Sequence, residues 1–102
     1  MTNEHQFYQL LGLANRARKV VSGQEPVLNE IRKRNAKLVI IATDASETTK
    51  KTIQDKCLHY HVYCVQMGDR DSLGQAIGKE QRVALAVTDE GFAAKLLIKL
   101  GQ

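Results

Sequence analysis

Tryptophan is absent from this chain of 102 residues, and only five side chains are aromatic. That scarcity argues against a base-stacking platform of the kind used by many single-strand binders. One proline and seven glycines beside 43% hydrophobic residues rule out a collagen-like or low-complexity composition and leave an ordinary globular one. No apolar run approaches the roughly 20 residues that a membrane-spanning helix needs. The opening residues Met1 to Gln6 are polar without a basic stretch, so no secretory leader is expected. Without a secretory context, Cys57 and Cys64 read as reduced thiols of a cytoplasmic protein. The length suits a single domain over residues 1–102.

Catalytic signatures are equally sparse. Gly74-x-x-x-Gly78 lacks the Lys-Ser/Thr pair of a P-loop, and no G-x-G-x-x-G follows a strand pattern. The acids Asp44, Asp69, Asp71, Asp89 and Glu90 fall near helix starts, where capping accounts for them. Cys57-x-His59-x-His61-x-x-Cys64 has the residue types of a zinc site, but it runs from a helix end into a buried strand. Both cysteines fall at inward apolar positions, so core thiols are expected rather than metal ligands. Neither an enzyme nor a cofactor is expected.

What the chain does have is charge in one place. Residues 1–37 hold seven bases against three acids, whereas residues 38–102 hold eight of each. A surplus confined to one stretch predicts one positive surface for one kind of partner, and nucleic acid is the polyanion it fits.

Hydrophobic spacing places the elements. Phe7, Leu10, Leu11 and Ala14 predict a helix over residues 4–17. Val20-Val21 follows as a short strand, and a glycine turn at Gly23 opens a helix over about residues 25–34, with Pro26 tolerated in its first turn. Ala36 to Ala42 and Val83 to Val87 read as buried strands, and Val62 to Val65 as another. Asp44-Ala45-Ser46 caps the helix carrying Thr49, Ile53 and Cys57. A short helix over Ser72–Ile77 is expected to be capped by Asp71 and ended by Gly78. Thr88-Asp89 caps the last helix, with Phe92, Ala93, Leu96, Leu97 and Leu100 inward. The alternation predicts an α/β fold, a three-layer α/β/α sandwich with a mixed four-stranded sheet.

The strongest candidate site is the stretch Arg16-Ala17-Arg18-Lys19-Val20-Val21-Ser22-Gly23-Gln24-Glu25. A helix start offers unpaired amides and the positive end of the helix dipole, which together suit an anion. Arg16, Arg18 and Lys19 would extend it into a phosphate track. Glu25, Asn29, Arg32 and Lys33 share one outward face of the following helix. The competing reading is that Arg32-Lys33-Arg34 merely complement the helix C-terminal dipole and keep the chain soluble.

Four segments carry a family resemblance: Leu10-Leu11-Gly12-Leu13-Ala14-Asn15-Arg16-Ala17-Arg18-Lys19, Ala36 to Ala45, Leu73-Gly74-Gln75-Ala76-Ile77-Gly78 and Ala86 to Ala93. In this order the chain resembles the L-seven-Ae / L-thirty-e superfamily of ribosomal proteins, and within it the small bacterial YlxQ-like branch. The resemblance implies a protein without enzymatic activity that binds kink-turn RNA, with ribosomal RNA and the ribosome as implied partners. It implies that the second helix enters the RNA groove N-terminus first, by a G-x-N-E-x-x-K motif. Gly23 matches the motif glycine, while Glu25, Pro26 and Asn29 stand where Asn or Lys, Glu or Gln, and Lys are usual. The loop that packs on an extruded nucleotide is mostly apolar in the family, but here it is Lys79-Glu80-Gln81-Arg82. The implied RNA contacts are therefore Gly23, Gln24, Glu25 and Asn29, with Arg16, Arg18, Lys19, Arg32, Lys33 and Lys37 on phosphates and Lys79 or Arg82 closing from the loop. Each lost base contact weakens discrimination by about 1–3 kcal/mol, so recognition by shape and phosphates is expected to dominate. An adaptor that docks on an acidic protein surface is the alternative.

Overall fold

The computed structural model describes residues 4–101. Met1 to Asn3, part of the stretch inspected for a leader, lie outside the described residues. The elements run α1 (Glu4–Arg16), β1 (Val20–Ser22), α2 (Gln24–Arg32), β2 (Leu38–Ile41), α3 (Glu47–Tyr60), β3 (Tyr63–Gln66), α4 (Arg70–Ala76), β4 (Ala84–Val87) and α5 (Glu90–Lys99). The sheet order is β1-β4-β2-β3. Strand β2 pairs parallel with β3, and β4 pairs antiparallel with both β1 and β2, so the sheet is mixed as expected.

The two central strands are buried along their whole length, which explains their uninterrupted apolar sequence. Their side chains alternate between two cores. Leu38, Ile40, Leu85 and Val87 pack with Phe7 and Leu11 of α1, Leu73 of α4 and Leu96 of α5. Val39, Ile41, Ala84 and Ala86 pack with Val27, Leu28 and Ile31 of α2 and Ile53 and Cys57 of α3. Helices thus cover both faces of the sheet. Truncating a wholly buried aliphatic such as Ile40 to alanine costs about 2–5 kcal/mol at such a site.

One cap differs from expectation. Asp69, not Asp71, caps α4, accepting from the Ser72 amide at 2.8 Å, and the helix begins at Arg70. The reason lies one residue earlier. Gly68 takes φ 67 and turns the chain out of β3, leaving Asp69 extended and Asp71 already within the first helical turn.

Four helices close with one device. The chain turns left-handed at Arg18 (φ 62), Arg34 (φ 62), His61 (φ 59) and Gly78 (φ 68). The next amide then reaches five residues back, Lys19 N to Ala14 O at 2.9 Å and Asn35 N to Glu30 O at 3.0 Å after α1 and α2. Val62 N to Cys57 O at 2.8 Å and Lys79 N to Gly74 O at 2.9 Å repeat it after α3 and α4. Glycine takes the left-handed turn freely, whereas a residue with a Cβ gives up about 1–2 kcal/mol there.

Candidate nucleic-acid interface

Strands β1, β2 and β3 point the same way, and each runs directly into a helix: α2, α3 and α4 all start at that end of the sheet. Ser46 caps α3 by accepting from the Thr49 amide at 3.1 Å, and Asp69 caps α4. Helix α2 starts without a side-chain cap. Its N-cap is Gly23 at φ 100, a conformation that disfavours any side chain, and the Gly23 amide is taken by Ala84 O at 3.0 Å. The first amides of α2, at Gln24 and Glu25, therefore face a site where an anion can accept from them. Pro26 has no amide to offer, and the Val27 amide already bonds Gly23 O at 3.0 Å.

Side chains around this start are held by hydrogen bonds. Gln24 Oε1 accepts from Thr49 Oγ1 at 3.1 Å, and Thr49 Oγ1 accepts from Ser46 Oγ at 3.0 Å, which links the starts of α2 and α3. The bond uses the acceptor of the Gln24 amide and leaves its two N–H donors. A groove of about 440 Å3 runs between Ser22, Gly23 and Pro26 on one side and Arg70, Gln81 and Arg82 on the other. Arg82 Nε donates to Ser22 Oγ at 3.2 Å. A second groove of about 650 Å3 shares Gln81 and Arg82 and adds Lys79 and Glu80. Its backbone is seated on α4 by close approach: a Cβ at Gly74 would stand 2.6 Å from the Glu80 carbonyl carbon.

Arg70 belongs to this site, and the sequence reading missed it. Its amide donates to Asp44 Oδ1 at 3.0 Å and its Nε to Asp44 Oδ2 at 3.3 Å, while Nη2 donates to the Asp44 carbonyl. Two of these bonds fix the guanidinium against Asp44, and Arg70 lines the groove. Its signal was Gly68-Asp69, a turn and cap that move the start of α4 forward to Arg70.

The sequence-adjacent bases do not gather here. Gly23, Gln24, Lys79 and Arg82 meet at the helix-start end, but Arg18, Lys19 and Lys37 stand at the opposite end of the sheet. There the Thr88 amide donates to Lys19 O at 2.9 Å and the Lys37 amide to Val87 O at 2.8 Å. Arg18, Glu30, Asn35 and Lys37 line a groove of about 330 Å3. Arg16 ends α1 and Lys33 closes α2 at the same end. The separation follows from β1, whose three residues carry the chain about 10 Å along the sheet. Glu25, Asn29, Arg32 and Lys33 are all exposed along α2, as the helical spacing predicted. Arg32 Nη1 donates to Asn29 Oδ1 at 3.0 Å, so Asn29 presents its amide donors outward from a bonded position.

The cysteine–histidine stretch does not converge. Cys57 is buried in the α2–α3 core, His59 and His61 are exposed, and among the described residues no three His, Cys, Asp or Glu side chains gather in a way that could hold a metal. The Cys57 thiol is held far above the ordinary thiol range, chiefly by its hydrogen bond to the Cys64 sulfur and further by burial.

An α/β/α sandwich whose second helix starts from a glycine turn places this chain in a family of ribosomal proteins. The model of the Ribosomal protein L7Ae/L30e/S12e/Gadd45 family matches residues 5–97, and the chain belongs to that family. Within it the chain is YlxQ-like. It is 54% identical over 92 residues to the RNA-binding protein YlxQ of Bacillus subtilis (strain 168), covering 90% of this chain and 92% of the relative. It is 41% identical over 93 residues to the RNA-binding protein YlxQ of Enterococcus faecium, covering 91% and 89% respectively. Among solved structures, a Bacillus halodurans protein of unknown function superposes with a TM-score of 0.92 at 40% identity, over 95% of this chain and 98% of that one. A 15.5 kD RNA-binding protein of Giardia lamblia has the same fold, with a TM-score of 0.79 at 20% identity over 95% of this chain and 86% of that one.

Proposed function

We propose that this protein binds structured RNA, a kink-turn or similarly bent helix with ribosomal RNA among its targets, at the end of the sheet where α2 begins. The family and the names of the YlxQ relatives support RNA as the partner and binding rather than catalysis as the activity. The observation that carries the reading is the uncapped, glycine-turned start of α2, framed by Arg70 and Arg82 across one groove. Gly23 lets the RNA backbone approach closely. Gln24 and the first amides of α2 donate to phosphate or base edges, and Asn29 reads further along the helix. Lys79 and Arg82 close from the loop.

Glu25 and Pro26 give the site its character. A carboxylate repels phosphate and a proline offers no donor, so backbone shape contributes more than base edges. Among the described residues no helix is long and apolar enough to cross a membrane, and the place of action proposed is the cytoplasm.

A titration against a kink-turn, and against the same RNA with its G·A pairs replaced by Watson–Crick pairs, tests this. The kink-turn is expected to bind tighter by about 5- to 150-fold, the discrimination of one bidentate contact. Equal affinity for both RNAs would refute kink-turn recognition and leave general RNA binding standing.

A further inference from the structure

The basic surplus of the first 37 residues lies largely at the end of the sheet opposite the start of α2, and we infer that this end is a second, separate contact for the phosphate backbone of an RNA helix, so that the protein holds two RNA segments at once. The inference rests on the reading that the protein binds RNA. Helices α1, α2 and α3 all finish at this end, and β1 and β2 begin there. Arg16, Arg18, Lys19, Lys33, Arg34 and Lys37 gather around those helix and strand ends, against Glu30, Asp89 and Glu90.

Three observations separate this end from a merely solvated surface. The ion pairs among the described residues are Lys50–Glu47, Lys51–Asp55 and Arg70–Asp44, so none of the six bases is neutralised by a partner. Two of the three nearby acids are held by neighbours: Glu30 Oε2 accepts from Asn35 Nδ2 at 3.0 Å, and Asp89 Oδ2 accepts from the Phe92 amide at 2.9 Å. Arg18 and Arg34 also hold left-handed turns where glycine would fit without strain, so the backbone does not call for arginine at either position. Arg34 lies over the Tyr60 ring at 5.0 Å and has a packing role, but Arg18 lines the groove with Lys37.

The geometry separates the two contacts. Helix α2 has nine residues and spans about 14 Å between them. The carboxylate of Glu25 and the donor-less Pro26 lie on the helix-start side of that span, and they interrupt any continuous track of positive charge. A polyanion with regularly spaced charge fits the far end, and an RNA duplex backbone is such a polyanion.

The test saturates the protein with a short kink-turn RNA and then titrates a fluorescent plain A-form RNA duplex into the complex. A ternary complex is expected. The triple variant Arg18→Gln, Lys19→Gln, Lys37→Gln should bind the duplex at least about tenfold more weakly at 100 mM salt, with a log–log salt slope flatter by about 2–3. Its affinity for the short kink-turn should change less than about twofold. Arg18→Gly guards against a folding artefact, since it should raise the melting temperature while weakening duplex binding. Displacement of the duplex by the kink-turn RNA would overturn the inference in favour of one footprint, with RNA binding intact. Binding of polyglutamate but not duplex to the complex would overturn it in favour of an acidic protein partner. If neither RNA binds the free protein, the proposed function itself fails.

Discussion

Three helices begin at one end of the sheet and three finish at the other, and the two ends treat charge in opposite ways. At the helix-start end, Arg70 and Arg82 are fixed by hydrogen bonds to Asp44, Ser22 and the loop backbone, and Gln24 is fixed through Thr49. At the helix-finish end, Arg16, Arg18, Lys19, Lys33 and Lys37 stand free of ion pairs among the described residues. Fixed donors give up little freedom when a ligand arrives and so favour one geometry. Free charges supply attraction that is long in range, tolerant of sequence and weakened by salt. Under the proposed function the first end would select a shape, and the second would hold whatever backbone extends past it.

Breaking the first end at its support should have the largest effect. Gly74→Ala forces α4 and the 79–82 backbone apart and should destabilise the fold by about 1–3 kcal/mol, measured by urea unfolding. Kink-turn binding should fall with it, while duplex binding at the far end persists in the folded fraction. Arg82→Ala removes one held charge. RNA affinity should drop about five- to tenfold, and the salt slope should flatten by about 0.7–0.9 in a titration series.

The far end is sharpened by a gain rather than a loss. Arg18→Gly relieves about 1–2 kcal/mol of left-handed strain and concedes about 0.4–1 kcal/mol to the freer unfolded chain. The net stabilisation of about 0.5–1 kcal/mol should raise the melting temperature by roughly 2–8 °C.

The smallest effect is confined to acid. Asp69 lies below its ordinary value of 3.8 because the Ser72 amide, and then the Ser72 hydroxyl, donate to its carboxylate. A depressed carboxyl contributes stability above its unfolded value and loses it as pH falls through the folded one. Asp69→Asn should therefore flatten the fall in melting temperature between about pH 5 and pH 2, with little change at pH 7 because asparagine also caps well.

Much of this architecture was legible in the residues. The runs 36–42 and 83–87 read as buried strands, since an uninterrupted apolar run of that length is typical of a strand covered on both faces, and Leu38 to Ile41 and Ala84 to Val87 are those strands. Helical spacing put Phe7, Leu11 and Ala14 inward on α1 and Val27, Leu28 and Ile31 inward on α2. Position along the sheet was not legible. Arg16 to Glu25 reads as one basic junction, but three extended residues are enough to part its two halves. Choosing between Asp69 and Asp71 as the cap was equally beyond periodicity, because both precede the helix at plausible spacing and the turn at Gly68 decides. Arg70 escaped for the same reason.

The contact between Gly74 and the loop carries a consequence for how such proteins diverge. The path of residues 79–82 is set by backbone lying on backbone, at a position with no side chain to replace. The side chains of Lys79, Glu80 and Gln81 are exposed and take little part in holding that path, whereas Arg82 is half-buried and bonded to Ser22 and to the Gln81 carbonyl. The three exposed side chains can therefore be rewritten, apolar for polar, without rebuilding the fold. Partner choice becomes a variable on a fixed frame, and Gly74 is a part of that frame with no room for a side chain.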